Sequence, residues 1–213
     1  MNFNKLKEEY PQLKTIVAVS KTQPVEKIHA LIREGYLDFG ENKVQELLSK
    51  AQTGLPVVWH YIGHLQTNKV KECVRVATWI HAVDSIKLLE EIDDACGKLN
   101  KNINVLMQVN LTNENTKFGM LPGDVDAFLE ASKKCKHAKL KGLMIIGPTT
   151  TNNEWIDQVF TRAEELKTAI QKNIPEFTEC SMGMSQDYKI ALKHGATMIR
   201  IGTLIFGERS IKK

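Results

Sequence analysis

The sequence predicts a single α/β barrel of the (β/α)8 TIM type, filling residues 1–213 as one domain. Three observations lead there. Eight short β-rich runs alternate with amphipathic stretches along the whole chain, a pattern that implies parallel strands joined by right-handed helical crossovers. No G-x-G-x-x-G follows the first run, which removes the main support for an open dinucleotide-binding sheet. No linker or composition break marks a second domain, and 213 residues suit one barrel without inserts.

The opening MNFNKLKEEYPQLK reads as a polar, partly helical lead-in. It lacks the apolar core and cleavage site of a secretory signal, so a cytoplasmic location is expected. The first strand is TIVAVS (15–20), followed by Lys21 and by a helix whose first turn holds Pro24 behind Thr22. YLDFG (36–40), VVWHYIG (57–63) and TWIHAV (78–83) are the next strands. Asp84-Ser85 then offers an N-cap to a helix with Ile86, Leu89, Ile92, Cys96 and Leu99 on one face. INVLMQVN (103–110) and LKGLMII (140–146) are the fifth and sixth strands. Trp155, Ile156, Val159, Phe160, Ala163, Leu166 and Ile170 mark one buried face of a long helix. TECSM (178–182) and TMIRIG (197–202) complete the barrel. The chain stops at IKK soon afterwards, so the last helix is expected to be short or missing, with the N-terminal segment in its place.

Composition narrows the classes. With 42% hydrophobic and 25% charged residues, a chain of this length buries a core without metal or disulfide staples. The longest apolar run, Leu143 to Gly147, is strand-sized and far short of a bilayer span. Cys73, Cys96, Cys135 and Cys180 form no C-x-x-C pair and read as reduced thiols. The net charge of +4 comes with scattered lysines, not a basic stripe, so no nucleic-acid partner is expected.

In such a barrel, function gathers where strands end and the following loops begin. Those ends hold Ser20-Lys21, Gly40-Glu41-Asn42, His60, Gly63-His64, Asp84, Asn110, Met144, Ser181 to Ser185, and Arg200 to Thr203. Lys21 closes an apolar strand, where burial disfavours an ammonium charge and a neutral amine forms imines; the alternative is a structural or surface lysine. The segments after the seventh and eighth strands suit a phosphate held by backbone N–H groups and hydroxyls; the alternative is a turn in which Ser185 caps a helix. Arg200 alternates with Ile199 and Ile201 and so faces the barrel mouth, where it meets an acceptor or pairs with Glu41 or Asp84. His60 and His64 lack a third nearby ligand and are expected as hydrogen-bonded rim histidines.

Several motifs together resemble the pyridoxal 5′-phosphate (PLP) homeostasis family, whose barrel is that of alanine racemase. They are AVSKTQP (18–24), FGENKVQE (39–46), WHYIGHLQTNK (59–69), VNLTNENTKFG (109–119), GLM (142–144) and CSMGMSQDYKIALKHGATMIRIGTLIFG (180–207). The resemblance implies PLP fold type III without the additional β domain, with PLP as cofactor in a Schiff base on Lys21. It also implies that Arg200 faces the pyridine nitrogen, that Ser181, Gly202 and Thr203 surround the phosphate, and that Asn42 and Met182 line the ring. An arginine can only donate, so the ring nitrogen facing it stays unprotonated and the ring is a weaker electron sink. After GLM this chain reads IIGPTTTN, a departure that predicts a locally different sixth-strand rim around Met144.

The racemases that share this barrel take a second acid/base group from an additional domain, for which this chain has no residues left. The expected function is therefore PLP carriage in vitamin B6 and amino-acid homeostasis without robust turnover. PLP-dependent apo-enzymes are the expected recipients and a monomer or weak dimer the expected state. Two enzymes are the alternatives: a racemase-like PLP enzyme recruiting Tyr61, His60 or a partner, and a class I aldolase using Lys21 without PLP.

Overall fold

Each of the eight β-rich runs becomes a strand. In a computed structural model, which describes residues 3–207 apart from 113 and 115, the strands close into a parallel barrel in sequential order. They are β1 (Thr15–Val19), β2 (Asp38–Glu41), β3 (Val58–Tyr61), β4 (Trp79–Val83), β5 (Ile103–Gln108), β6 (Ala138–Met144), β7 (Glu179–Ser181) and β8 (Met198–Ile201). Closure comes from β1 and β8, in register from Thr15 opposite Met198 to Ala18 opposite Ile201. Around them lie α1 (Phe3–Glu9), α2 (Val25–Arg33), α3 (Val44–Ala51), α4 (Val70–Val76), α5 (Ile86–Lys98), α6 (Val125–Ser132), α7 (Asn153–Gln171), α8 (Tyr188–Lys193) and α9 (Thr203–Phe206).

Strand alternation sorts side chains into two apolar layers. The outer layer lies between strands and helices and holds Ile16, Phe39, Ile80, Ile199 and Ile201 against Leu47, Leu89, Ile92 and Phe160. Full burial of a side chain such as Phe160 stabilises by about 1.5–3 kcal/mol. The inner layer is smaller: Ala82, Leu106, Met144 and Met198, with Trp79 and Ile146 against them.

The helix signals act as the sequence suggests, with small shifts. Ser85 caps α5, its side chain accepting the Leu88 N–H. Leu99, expected on the buried face of α5, lies just past the helix and is exposed. Pro24 occupies the N-cap position of α2, one residue ahead of its first turn. The last helix, α9, is four residues long, and the lead-in packs on α8, where Gln12 Nε2 donates to the Leu192 carbonyl at 2.7 Å. The IKK terminus lies outside the described residues. Among the described residues no helix is long and apolar enough to cross a membrane, and the four cysteines are free thiols.

Candidate functional site

A cavity of about 390 Å³ opens at the C-terminal end of the barrel, the end at which such barrels place their chemistry. Val19, Ile62, Met144 and Ile146 give it apolar walls, while Lys21, Asn42, Arg200, Ser185, Gly202 and Thr203 bring polar groups to it.

Lys21 enters from the loop after β1. The Gln23 N–H closes a turn on the Ser20 carbonyl at 2.9 Å, and Thr22 between them has φ 65°. That left-handed conformation is strained for a β-branched residue. It is held by Glu46, whose Oε1 accepts the Thr22 N–H at 2.5 Å. Beneath the turn, Lys50 donates to the Ser20 carbonyl, to Glu41 Oε1 and to Glu46 Oε1 at 2.7, 2.7 and 2.8 Å. Burial pushes the Glu41 carboxyl up, and hydrogen bonds from Lys50 and Ser20 hold it back. The peptide that carries Lys21 is thus anchored to a buried ion pair.

Asn42 is placed by two close contacts. A Cβ on Gly63 would collide with the Asn42 carbonyl, so only glycine lets the β3 loop pass there. The Tyr61 hydroxyl lies 3.1 Å from the carbonyl oxygens of both Asn42 and His64. Burial pushes that hydroxyl up to about 12, so it remains a donor. Asn42 itself lines the cavity with its buried Oδ1 unpartnered, a polar group waiting for a ligand atom.

Arg200 forms part of the cavity floor. Its Nη1 donates to the Ser181 carbonyl and to Ser181 Oγ, each at 2.7 Å, and its Nη2 to the Ile145 carbonyl at 2.9 Å. Two of the five guanidinium donors remain for a ligand. Burial lowers Arg200 to about 10, with Asp187 opposing the shift, so the group stays charged at neutral pH.

The other expected site residues divide. Lys21, Asn42, Arg200, Gly202 and Thr203 all line the cavity, but Ser181 and Met182 do not. Ser181 is fully buried, its hydroxyl occupied by Arg200 Nη1 and by His81 Nδ1 at 2.9 Å. Met182 alternates to the other face of the strand line and is fully buried in the outer core. Gly183, at φ 92°, then turns the chain back, and this brings Ser185 to the cavity. Ser185 is not a helix cap: α8 starts at Tyr188, and Asp187 Oδ1 accepts the Met184 N–H at 2.6 Å.

The expectation of two rim histidines holds for one. His64 is at the rim, 3.1 Å from Asp84 and stacked on Phe118 at 4.0 Å between centroids. His60 is instead sealed inside the barrel, because its strand position points inward. Asn110 organises its own loop by accepting from the Thr112 N–H and hydroxyl; Asn113 and Asn115 of the same motif lie outside the described residues. Thr149, Thr150, Asp187 and Phe206 also line the cavity without having been singled out. The IIGPTTTN departure marked the place of the first two, whereas Asp187 resembled an ordinary helix start.

The chain matches the family model described as the alanine racemase N-terminal domain over residues 1–210. It is similar to pyridoxal phosphate homeostasis proteins of Pasteurella multocida, at 36% identity over 204 residues, and of Aquifex aeolicus, at 39% over 197. These alignments cover 93% and 91% of this chain and 88% and 86% of the relatives. Among solved structures, PipY of Synechococcus elongatus with PLP bound superposes with a TM-score of 0.87 at 35% identity, covering 96% of this chain and 97% of that one. A family model matched over almost every residue and relatives more than a third identical across the barrel show that the chain belongs to the pyridoxal phosphate homeostasis proteins of the alanine racemase N-terminal type.

Proposed function

We propose that the protein holds pyridoxal 5′-phosphate as a Schiff base on Lys21 and serves vitamin B6 and amino-acid homeostasis as a carrier, without robust turnover. One observation carries this reading. A single cavity gathers an amine, a guanidinium and a hydroxyl-bearing edge around apolar walls, in a chain similar to a PipY solved with PLP bound.

The residues fit the group. Lys21 supplies the amine, and the apolar walls of Val19, Ile62, Met144 and Ile146 exclude water from an aromatic ring. Arg200 offers donors to a ring acceptor, and Asn42 offers its unpartnered Oδ1 as an acceptor to a donating ring substituent. Ser185, Gly202 and Thr203 would hold the phosphate at the hydroxyl-bearing edge of the cavity. Bound PLP supplies an aldehyde that condenses with an amine with loss of water, and a ring that withdraws electrons.

Carriage is favoured over turnover by where the second acid/base candidates lie. Lys21 can move a proton on one face only. The Tyr61 hydroxyl is held by the carbonyls of Asn42 and His64, and His60 is enclosed in the barrel interior. Asp187, which does line the cavity, is engaged by the Met184 N–H. Apo-enzymes that need PLP are the recipients this reading assigns, and a monomer or weak dimer the state, checked by light scattering.

The test is the absorption spectrum of the protein with PLP before and after borohydride, followed by peptide mapping, with Lys21→Ala in parallel. A reducible band and a pyridoxyl adduct on Lys21 are expected. A band that survives Lys21→Ala unchanged would overturn the assignment, and a colourless protein that traps carbonyl substrates on Lys21 would make it an aldolase.

A further inference from the structure

The barrel interior contains a polar chain that the cavity residues alone do not explain. Arg200 Nη1 donates to Ser181 Oγ at 2.7 Å, and Ser181 Oγ lies 2.9 Å from His81 Nδ1. His81 Nε2 lies 2.9 Å from His60 Nδ1, and His60 Nε2 lies 2.9 Å from Asp38 Oδ1. Ser181, His81 and His60 are fully buried, whereas the Asp38 side chain is 32% exposed at the first residue of β2. The chain therefore runs from the cavity floor through the barrel to its N-terminal end.

The fold goes to some trouble to build it. The register of β4 against β5 shifts between Ile80 and Val83, and both His81 and Ala82 face inward, His81 to Ser181 and Ala82 to the inner apolar cluster. A bulge is the means by which two successive residues share one face. Trp79 stacks on His60 at 5.9 Å and 6°, fixing the ring plane. Two histidines in an apolar interior are costly unless their nitrogens are bonded, and all four ring nitrogens are bonded here.

The ends of the chain set its direction. A guanidinium only donates and a carboxylate only accepts. With both rings neutral, His60 donates its Nε2–H to Asp38 and accepts at Nδ1 from His81 Nε2–H, which leaves His81 Nδ1 to accept the Ser181 O–H while Ser181 Oγ accepts from Arg200. Burial, with His60 and Arg200 adding to it, holds His81 well below its ordinary value, so it is the neutral ring this order requires. Bonds aligned in one sense polarise one another.

We infer that His81 and His60 are positioning residues for the cofactor site: through Ser181 they fix the Arg200 guanidinium in the orientation that faces the ring of bound PLP. This rests on the reading of Lys21 and Arg200 as a PLP site. Neither histidine touches the cavity, so their effect passes entirely through the serine and the arginine.

The test compares His81→Leu, which removes the acceptor for Ser181, with His81→Asn, whose amide oxygen lies near the place of Nδ1. Each is checked by thermal melting and titrated with PLP by absorption. His81→Leu is expected to weaken PLP binding about tenfold and to shift the maximum of the bound band. His81→Asn should stay within about threefold of the wild type, with the wild-type maximum. A folded His81→Leu with unchanged affinity and an unchanged maximum overturns the inference. Nitrogen-15 NMR of the protein without PLP judges the chain even where His81→Leu does not fold: Nε2–H tautomers on both histidines are expected, and an Nδ1–H tautomer on His81 overturns the inference. A wild type without a Lys21-dependent band would instead sink the PLP reading, an outcome visible before any histidine variant is made.

Discussion

Lys50 Nζ lies 2.7 Å from Glu41 Oε1 and 2.7 Å from the carbonyl oxygen of Ser20, the residue before Lys21. Both side chains are nearly sealed from water, at 6% and 0% exposure. This pair links the helix α3 to the end of β1, and it makes the backbone at Lys21 part of a buried electrostatic unit.

Removing one partner of such a pair leaves a charge in the interior. Lys50→Met should lower stability by about 3–5 kcal/mol in urea unfolding, and Lys50→Met with Glu41→Leu should recover most of that loss. Affinity for PLP should stay low in the double variant, because the Ser20 carbonyl has lost its donor. A double variant no more stable than Lys50→Met would show that the stranded carboxylate is not the source of the cost.

The two serines after β7 should separate cleanly. Ser181→Ala strips a partner from both His81 and Arg200 and should cost about 1–3 kcal/mol of stability. Ser185→Ala should leave stability nearly unchanged and weaken PLP binding about tenfold, with no effect on pyridoxal, which lacks the phosphate. Equal losses for PLP and pyridoxal in Ser185→Ala would remove Ser185 from the phosphate.

Thr22 concerns strain beside Lys21. Thr22→Gly relieves the left-handed conformation and should raise stability by up to about 1 kcal/mol, the conformational penalty being offset in part by the freedom glycine gains when unfolded. PLP affinity should fall as the turn loosens. Lower stability in Thr22→Gly would mean that the threonine side chain contributes more than its backbone costs.

Asp93 sets an acid limit. Burial pushes its carboxyl up, but the N–H groups of Ala138, His137 and Lys136 outweigh that and leave it below its ordinary value of 3.8. A group depressed in the folded state contributes stability above its unfolded value and loses it as pH falls through the folded value. The contribution of Asp93 should therefore be whole above about pH 4 and fade below it. Asp93→Ala should be less stable at neutral pH and lose less between pH 5 and 2, measured by thermal melting across that range. Parallel pH curves for the two proteins would dismiss the role.

Most of the barrel was legible because its signals are local. Strand runs such as TIVAVS and TMIRIG, and the Ser85 cap, depend on neighbours in sequence, and each appears within two residues of its expected bounds. Lys21 and Arg200 were legible for the same reason: a residue at the end of a barrel strand reaches the mouth, and alternation with Ile199 and Ile201 turns Arg200 inward. Leu99 was misjudged because helix periodicity does not show where the helix ends.

Local residue order carries the alternation of strand and helix, the family motifs and the strand ends on which Lys21, Asn42 and Arg200 stand. Which hydroxyl reaches the cavity depends on long-range packing: Ser181 and Ser185 are four positions apart in one motif, yet one is locked between Arg200 and His81 and the other lines the cavity. Packing also makes His60 and His81 meet inside the barrel, since that contact needs the register of β3 against β4 and the shift of β4 against β5. The reason is physical. Periodicity reports which face a side chain takes, but a hydrogen bond needs two groups brought within about 3 Å, and for residues distant in sequence strand register and packing alone supply that.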